Sequence, residues 1–197
     1  FGEHGIRFHF FCLYDILIKI PLIIKYPVDL DFCGVENRIV QNVDILPTII
    51  DILKINNKRL LNQIQGNSLV SSNIKNRDHS YAISELVEPF GPRMQPLKDK
   101  LKKYDRQLIS IRTWNKKYIY TTDGNHEFYD LEKDPEETNN LIDSKDPSIE
   151  ELREKLTPWL LPFQNSCKGV QSKISRKSPK QEFEIEINQR LKDLGYL

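Results

Sequence analysis

Three β-rich runs follow one another closely in the middle of the chain, and their spacing is the strongest constraint on its fold. They cover residues 107–113, 117–121 and 127–131. Asp123-Gly124, between the second run and the third, is a strong turn signal. Such short connections join antiparallel strands, because parallel neighbours need a crossover of a dozen or more residues. The sequence therefore predicts an antiparallel meander.

The part of the chain before the meander follows another pattern. Residues 20–24 (Ile-Pro-Leu-Ile-Ile) form a continuous apolar run, which is typical of a strand buried in a parallel sheet. Helical spacing of apolar residues predicts a helix over 43–53, with Asp44 as N-cap and Pro47 in its first turn. The predicted apolar face of this helix comprises Leu46, Ile49, Ile50 and Leu53. A buried strand and then a helix indicate an α/β layer, and residues 81–86 have the composition of one more strand.

Two helices are predicted after the meander. Ser148 and Glu151 form a capping box at the start of the first, which Pro158 is expected to kink or end. Its predicted inward residues are Ile149, Leu152, Leu156 and Leu160. Residues 166–180 are basic and polar and predict a linker. An apolar stripe over 183–194 predicts the second helix, which ends the chain.

Charge and cysteine content bear on partners and compartment. The 29 basic and 28 acidic residues give a net charge of +1, so no overall field attracts nucleic acid or an anionic membrane. The apolar run near Ile20 is too short to span a bilayer. The three cysteines lack metal-site spacing and favour a reducing compartment such as the cytoplasm. The chain begins at Phe1 and not Met, which leaves a signal peptide open, and oligomeric state stays open as well.

Two histidines near the start are the first candidates for chemistry. His4 lies in Gly2-Glu3-His4-Gly5, and His9 follows among phenylalanines. Histidine can donate a proton, bind a metal or contact an anion, whereas a histidine among aromatic residues is more often a core residue. Spacing alone does not decide between these interpretations.

Other polar residues favour structural roles. We interpret Tyr14 and Asp15 as packing and helix-start residues, and Asp134-Pro135-Glu136-Glu137 as a turn and helix start and not a cation site. We interpret Arg112 and Lys117 as residues on a solvated face of a hairpin. Contact with an anionic substrate is the alternative. His79 and His126 are interpreted as solvent-exposed loop residues.

Short motifs occur in a fixed order along nearly the whole chain. They are Gly2-Glu3-His4-Gly5 with His9, Leu13-Tyr14-Asp15, Ile20-Pro21-Leu22-Ile23, residues 40–48 (Val-Gln-Asn-Val-Asp-Ile-Leu-Pro-Thr), residues 65–69 (Gln-Gly-Asn-Ser-Leu), Arg112-Thr113 with Lys117-Tyr118-Ile119, residues 128–137 with Asn140-Leu141, and the ending 190–197. Together they resemble the sulfatase family of the alkaline-phosphatase superfamily. The resemblance implies fold class α/β: the C-terminal part of an alkaline-phosphatase-like α/β/α sandwich plus a small antiparallel-sheet and helix subdomain. We expect residues 1–100 to end the catalytic domain, 101–165 to form the subdomain, and 166–197 to form a linker and C-terminal helix.

The resemblance also implies an activity, that of a metal-dependent sulfuric ester hydrolase. The family's nucleophile is a formylglycine made from Cys or Ser in Cys/Ser-x-Pro-x-Arg, and no cysteine here has Pro two residues on and Arg four on. The nucleophile and the ligands of the divalent cation, Ca²⁺ or Mg²⁺, are therefore expected upstream of Phe1, with no metal ligand in this chain. His9 aligns with the Lys or His that the family directs at the sulfate group, so it is the one catalytic and substrate-binding candidate. His4 and Glu3 are expected to be structural.

Two departures and two alternatives accompany this resemblance. Lys19 stands where the family usually has Arg, and Ile16 stands where it has a second acid. The implied substrate is a small-molecule or glycan sulfate ester. A phosphoesterase, phosphodiesterase or phosphoglycerol transferase of the same superfamily is the first alternative. A non-catalytic binding or structural module is the second, because the chain by itself lacks a nucleophile.

Overall fold

The computed structural model describes residues 3–5, 11–27, 34–35, 37–70, 80–90 and 98–174. Its α-helices are α1 (Asp15–Ile18), α2 (Ile45–Ile52), α3 (Lys58–Leu61) and α4 (Ser148–Ile174). Its strands are β1 (Tyr81–Leu86), β2 (Leu108–Thr113), β3 (Lys116–Thr121) and β4 (Glu127–Asp130), and short 3-10 turns cover Glu3–Gly5, Asn42–Asp44 and Asp99–Tyr104. The fold class is α/β, as predicted.

The four strands form one antiparallel sheet in the order β1-β2-β3-β4. The predicted meander is confirmed, since β2, β3 and β4 begin and end within a residue of the predicted runs. The strand predicted over residues 81–86 is confirmed as β1, and it pairs with β2 so that Tyr81 faces Thr113 and Leu86 faces Leu108. Each strand therefore lies beside its neighbour in sequence.

Both faces of this sheet carry a buried core. One face, here called the helix face, packs against α4; its buried core contains Ile109, Ile111, Tyr118 and Phe128 from the sheet and Leu152, Leu156, Phe163 and Cys167 from α4. The other face, here called the segment face, packs Leu108, Ile119 and Tyr129 against Leu13. Residues 11–18, here called the anchored segment, include Leu13 and bring the start of the chain onto the sheet.

Helix α4 extends further than predicted, so the expectation that Pro158 could end it is wrong. The helix passes through Pro158 and Pro162 and reaches Ile174, well into the range predicted as a linker. Each proline lacks the N–H that would bond to the carbonyl four residues earlier. Burial of Phe163 and Cys167 beyond the prolines offsets this cost, because packing contributes more to helix stability than intrinsic propensity. No helix among the described residues is long and apolar enough to cross a bilayer.

The first part of the chain departs from prediction. Residues 20–24 form no strand, and Ile23 is 92% exposed. Helix α2 lies within the predicted range with Pro47 in its first turn, but Ile50 alone of its predicted apolar face is buried. The reason is common to both: a buried strand or apolar helix face needs a covering layer, and no strand of the described residues pairs with residues 20–24.

A loop at residues 65–69 packs tightly on the start of α2. Asp44 stands at the N-cap position of α2, as predicted, and is fully buried, but its carboxylate makes no hydrogen bond to the first turn of the helix. It accepts hydrogen bonds from the backbone N–H groups of Gln41 (2.9 Å) and Asn67 (3.0 Å) instead. Gly66 lies against the backbone of Val43, where a Cβ would come within 1.9 Å of the carbonyl oxygen. The two motifs that contain these residues therefore form one packed unit.

Candidate functional site

An open groove of about 1370 Å³ lies between the anchored segment, the start of α2 and one side of the sheet. Its apolar lining comes largely from residues 16–22 and 39–45. Its charged and polar lining includes His4, Asp15, Lys19, Arg112 and Glu137. The groove thus brings the start of the chain together with residues that lie about a hundred positions later.

The predicted histidines have different outcomes. His9 and His79 lie outside the described residues, so the placement of His9 at a sulfate stays a prediction. His4 is exposed at the groove, and its ring stacks on the Tyr14 ring with 3.8 Å between centroids. His126 is half-buried, contrary to prediction: its Nδ1 accepts the Thr121 N–H at 3.2 Å, and burial lowers its pKa.

Asp15 is the centre of an ion-pair network at one wall of the groove. Its carboxylate accepts two hydrogen bonds from Arg112, from Nε at 3.1 Å and Nη2 at 2.9 Å. It also accepts one from Lys117 Nζ at 2.9 Å. The Lys117 side chain is 0% exposed and that of Arg112 is largely covered, so the prediction of a solvated hairpin face is wrong. Strand β3 is buried on both faces, and this forces Lys117 inward.

Glu137 completes the network from a turn. Its Oε1 lies 2.7 Å from Lys117 Nζ, and its Oε2 accepts the backbone N–H of Asp15. The turn is as predicted, with Asp134 accepting the backbone N–H groups of Thr138 and Asn139, but no helix starts there. Glu137 itself has a left-handed backbone with φ of 56°. This conformation is uncommon for a residue other than glycine, and here it directs a buried carboxylate at Lys117.

The charges of the network balance. Arg112 and Lys117 are direct cross-strand neighbours in β2 and β3, an arrangement in which like charges repel. The carboxylates of Asp15 and Glu137 offset the two cations. Desolvation opposes ionisation of Asp15, but the hydrogen bonds from Arg112 and Lys117 hold its pKa below the ordinary value. Desolvation raises the pKa of Glu137, with Lys117 acting in the opposite direction.

A second cluster holds Tyr14. The carboxylate of buried Glu127 accepts the hydroxyl hydrogens of Tyr14 and Tyr129, each at 2.9 Å on Oε2. Its Oε1 accepts from Arg106 Nη2 at 3.1 Å. Desolvation by burial and the nearby Glu127 charge raise the pKa of both tyrosines, so both remain protonated donors. Consecutive residues of the anchored segment, Tyr14 and Asp15, are thereby fixed by two separate clusters.

The described residues do not suit a divalent cation. They contain no group of three His, Cys, Asp or Glu side chains placed to hold one metal ion. The carboxylates of Asp15 and Glu137 are already bound by cationic side chains, and a metal would have to displace Lys117. Oxygen ligands for Ca²⁺ or Mg²⁺ need free lone pairs. The placement of the metal ligands upstream of Phe1 stays a prediction.

Lys117, Glu137 and Glu127 were not predicted as interacting residues. For Lys117 the sequence does hold a signal: it alternates with Ile119 and Thr121, so it shares their side of β3. A strand between two apolar layers buries every side chain, and a buried lysine requires acidic partners. Nothing in the local pattern identifies those partners, because they come from distant parts of the chain.

Comparison with known proteins gives the family. Residues 2–166 match the model for N-sulphoglucosamine sulphohydrolase, C-terminal. The chain belongs to this sulfatase family. The resemblance drawn from the ordered motifs is confirmed, and membership of the family suggests a divalent metal cofactor.

Curated relatives in the family are sulfatases. The chain is 31% identical over 147 residues to an "Ulvan-active sulfatase" of Formosa agariphila, covering 73% of this chain and 26% of the relative. It is 30% identical over 143 residues to an "N-acetylglucosamine-6-O-sulfatase" of Bacteroides thetaiotaomicron, covering 72% and 24%. The chain therefore spans about a quarter of the length of these relatives. The solved structure of a phosphonate monoester hydrolase of Agrobacterium radiobacter has a TM-score of 0.42 and 24% identity, covering 63% of this chain and 24% of that one.

Proposed function

We propose that the enzyme containing this chain is a sulfuric ester hydrolase that acts on a sulfated glycan or sugar. The match of residues 2–166 to a sulfatase family carries the proposal. Two relatives of at least 30% identity support it, because both are named as sulfatases and one name specifies a sulfated amino sugar.

In this proposal the chain supplies His9 to the active site, and the nucleophile comes from another part of the enzyme. The overall reaction converts a sulfate ester and water into an alcohol and sulfate. His9 contacts the sulfate group, where a cation or hydrogen-bond donor stabilises charge that develops on the ester or leaving oxygen. We place the formylglycine and the residues that bind a divalent cation, Ca²⁺ or Mg²⁺, upstream of Phe1. The compartment and the division at residues 100 and 165 stay predictions.

The test uses the full-length enzyme with an aryl sulfate and the matching aryl phosphate. We expect kcat/KM to favour the sulfate, and preference for the phosphate would contradict the proposal. His9→Ala is expected to lower kcat on the sulfate by about 10²-fold or more, the usual effect of a proton donor. His79→Ala is the matched control and should leave kcat within about twofold. An unchanged kcat in His9→Ala would remove His9 from the site while leaving the activity assignment intact.

The 197-residue chain by itself is expected to show no turnover of the aryl sulfate. The physical reason is the absence of any Cys/Ser-x-Pro-x-Arg sequence in it, and hence of the proposed nucleophile. Turnover by the purified chain that survives repeated chromatography would contradict the placement of the nucleophile upstream.

A further inference from the structure

We propose that the C-terminal sheet is a positioning device for the groove wall that carries His4. Lys117, together with Glu137, fixes Asp15; Glu127 fixes Tyr14; and His4 stacks on Tyr14. These residues are positioning residues, since they act through the anchored segment and not on the substrate. The kcat measurements that test this inference rest on the proposed function, whereas the contacts that support it come from the structure.

Charged residues occupy a buried place between the sheet and the anchored segment. Lys117 has no exposed surface, and its ammonium group lies within 2.9 Å of two carboxylates. Buried ion pairs add little net stability over well-packed apolar residues, and their best-attested use is to specify one arrangement. Arg112 and Lys117 face each other across two strands, so a carboxylate between them is stabilised by both. Asp15 supplies that carboxylate. The network therefore selects one register of the anchored segment on the sheet.

The anchored segment is held on the sheet at more than one point. One contact would locate the segment but leave it free to rotate. The Tyr14 hydroxyl reaches Glu127, while the next residue, Asp15, reaches Arg112 and Lys117. The backbone N–H of Asp15 adds a third point through Glu137. Both position and direction of the segment are thus set by side chains of the C-terminal sheet and its turn.

His4 connects the anchored segment to the groove. The His4 and Tyr14 rings are nearly parallel, with 17° between their planes, so movement of the tyrosine displaces the histidine. His4 has a left-handed backbone with φ of 56°. Such a conformation persists where surrounding contacts maintain it. His4 faces the groove that Asp15 and Glu137 also line, so a shift of the network alters this wall.

The experiment compares two adjacent lysines in the full-length enzyme. Lys117→Met removes the cation from the network, and Lys116→Met is the matched control, because Lys116 binds Asp130 and Asp146 instead. We expect Lys117→Met to lower kcat about tenfold or more, since displacement of about 1 Å can cost 10²-fold in rate. Lys116→Met should keep kcat within about twofold while it lowers Tm. Equal effects of the two variants on kcat would overturn the proposal.

A combination of variants separates positioning from a general loss of stability. His4→Ala is expected to lower kcat by about as much as Lys117→Met, and the double variant should lower it no further than either alone. Multiplied effects, or an unchanged kcat in His4→Ala, would overturn the proposal. If Lys117→Met does not fold, Glu137→Gln replaces it with the same expected result. An enzyme that prefers phosphate over sulfate would contradict the proposed function, and the same comparisons on the preferred ester would still test the positioning.

Discussion

Lys116 and Lys117 are adjacent in β3, yet they bind acids on opposite faces of the sheet. Lys116 Nζ lies 2.9 Å from Asp130 and 3.0 Å from Asp146, whereas Lys117 Nζ binds Asp15 and Glu137. The alternation of side chains along a strand produces this division. Lys116 supports the contact of the sheet with the start of α4, and Lys117 supports its contact with the anchored segment.

Asp15→Asn should strongly destabilise the 197-residue chain. The substitution removes the negative charge that lies between Arg112 and Lys117, so that Glu137 alone is left to offset two cations opposed across strands. Breaking a buried pair in this way costs about 3 kcal/mol of unfolding free energy, to be measured by urea denaturation. Asp143→Asn, at an exposed position, is the control and should change it by less than about 0.5 kcal/mol. A loss in Asp15→Asn no greater than in the control would contradict the role given to the network.

Asp146 should make stability depend on pH in the acid range. Hydrogen bonds from Ser148, with a contribution from Lys116, lower the pKa of Asp146 to about 2. The folded-state pKa is below the unfolded value of about 3.9. The carboxylate therefore stabilises the fold fully at pH values above about 3.9, and this stabilisation is lost as the pH falls towards 2. Because Asp146 is partly exposed, we expect Asp146→Asn to cost about 1 to 2 kcal/mol at pH 6 and about half of that at pH 3. A difference from the parent chain that is constant between pH 3 and 6 would contradict this.

Gly66→Ala should loosen the unit formed by α2 and the loop at residues 65–69. The added Cβ would lie 1.9 Å from the Val43 carbonyl oxygen, so the loop or the helix start must shift. Overpacking of this kind costs about 1 to 3 kcal/mol, which thermal denaturation would detect as a fall in Tm of several degrees. Asn67→Ala is the control, because the backbone N–H that binds Asp44 remains. A Tm in Gly66→Ala equal to that of Asn67→Ala would show that the contact is not tight.

The 197-residue chain should self-associate. Ile20, Leu22 and Ile23 are exposed together, and Leu46 and Leu53 of α2 are exposed as well. Exposed apolar patches of this kind promote association. Sedimentation velocity should show a monomer fraction that falls with concentration and that rises in Ile23→Lys. Val35→Lys, at another exposed apolar residue, serves as the control for added charge. A monodisperse parent chain over the same concentrations would contradict the prediction.

The sequence predicted elements whose signals are local. Strand spacing and the Asp123-Gly124 turn each act within a few residues, and the structure places β2, β3 and β4 accordingly. Helix α4 begins at Ser148, within the predicted motif, but Ser148 bonds to Asp146 there. It did not predict the Lys117 network, because the contact with Asp15 joins residues 102 positions apart. The strand predicted over 20–24 failed for a related reason, since an apolar run becomes a strand only beside a partner strand.

The order in which a ribosome makes the chain bears on the anchored segment. Asp15 leaves the exit tunnel well before Glu137, which is 122 positions later. At roughly 5 to 20 residues per second, the segment waits on the order of ten seconds for the last of its partners. The meander and α4 can form from neighbours in sequence, but the groove wall is assembled only after Glu137 has emerged. Premature termination anywhere before the turn at Glu137 would therefore yield a protein in which the groove wall that carries His4 is not assembled.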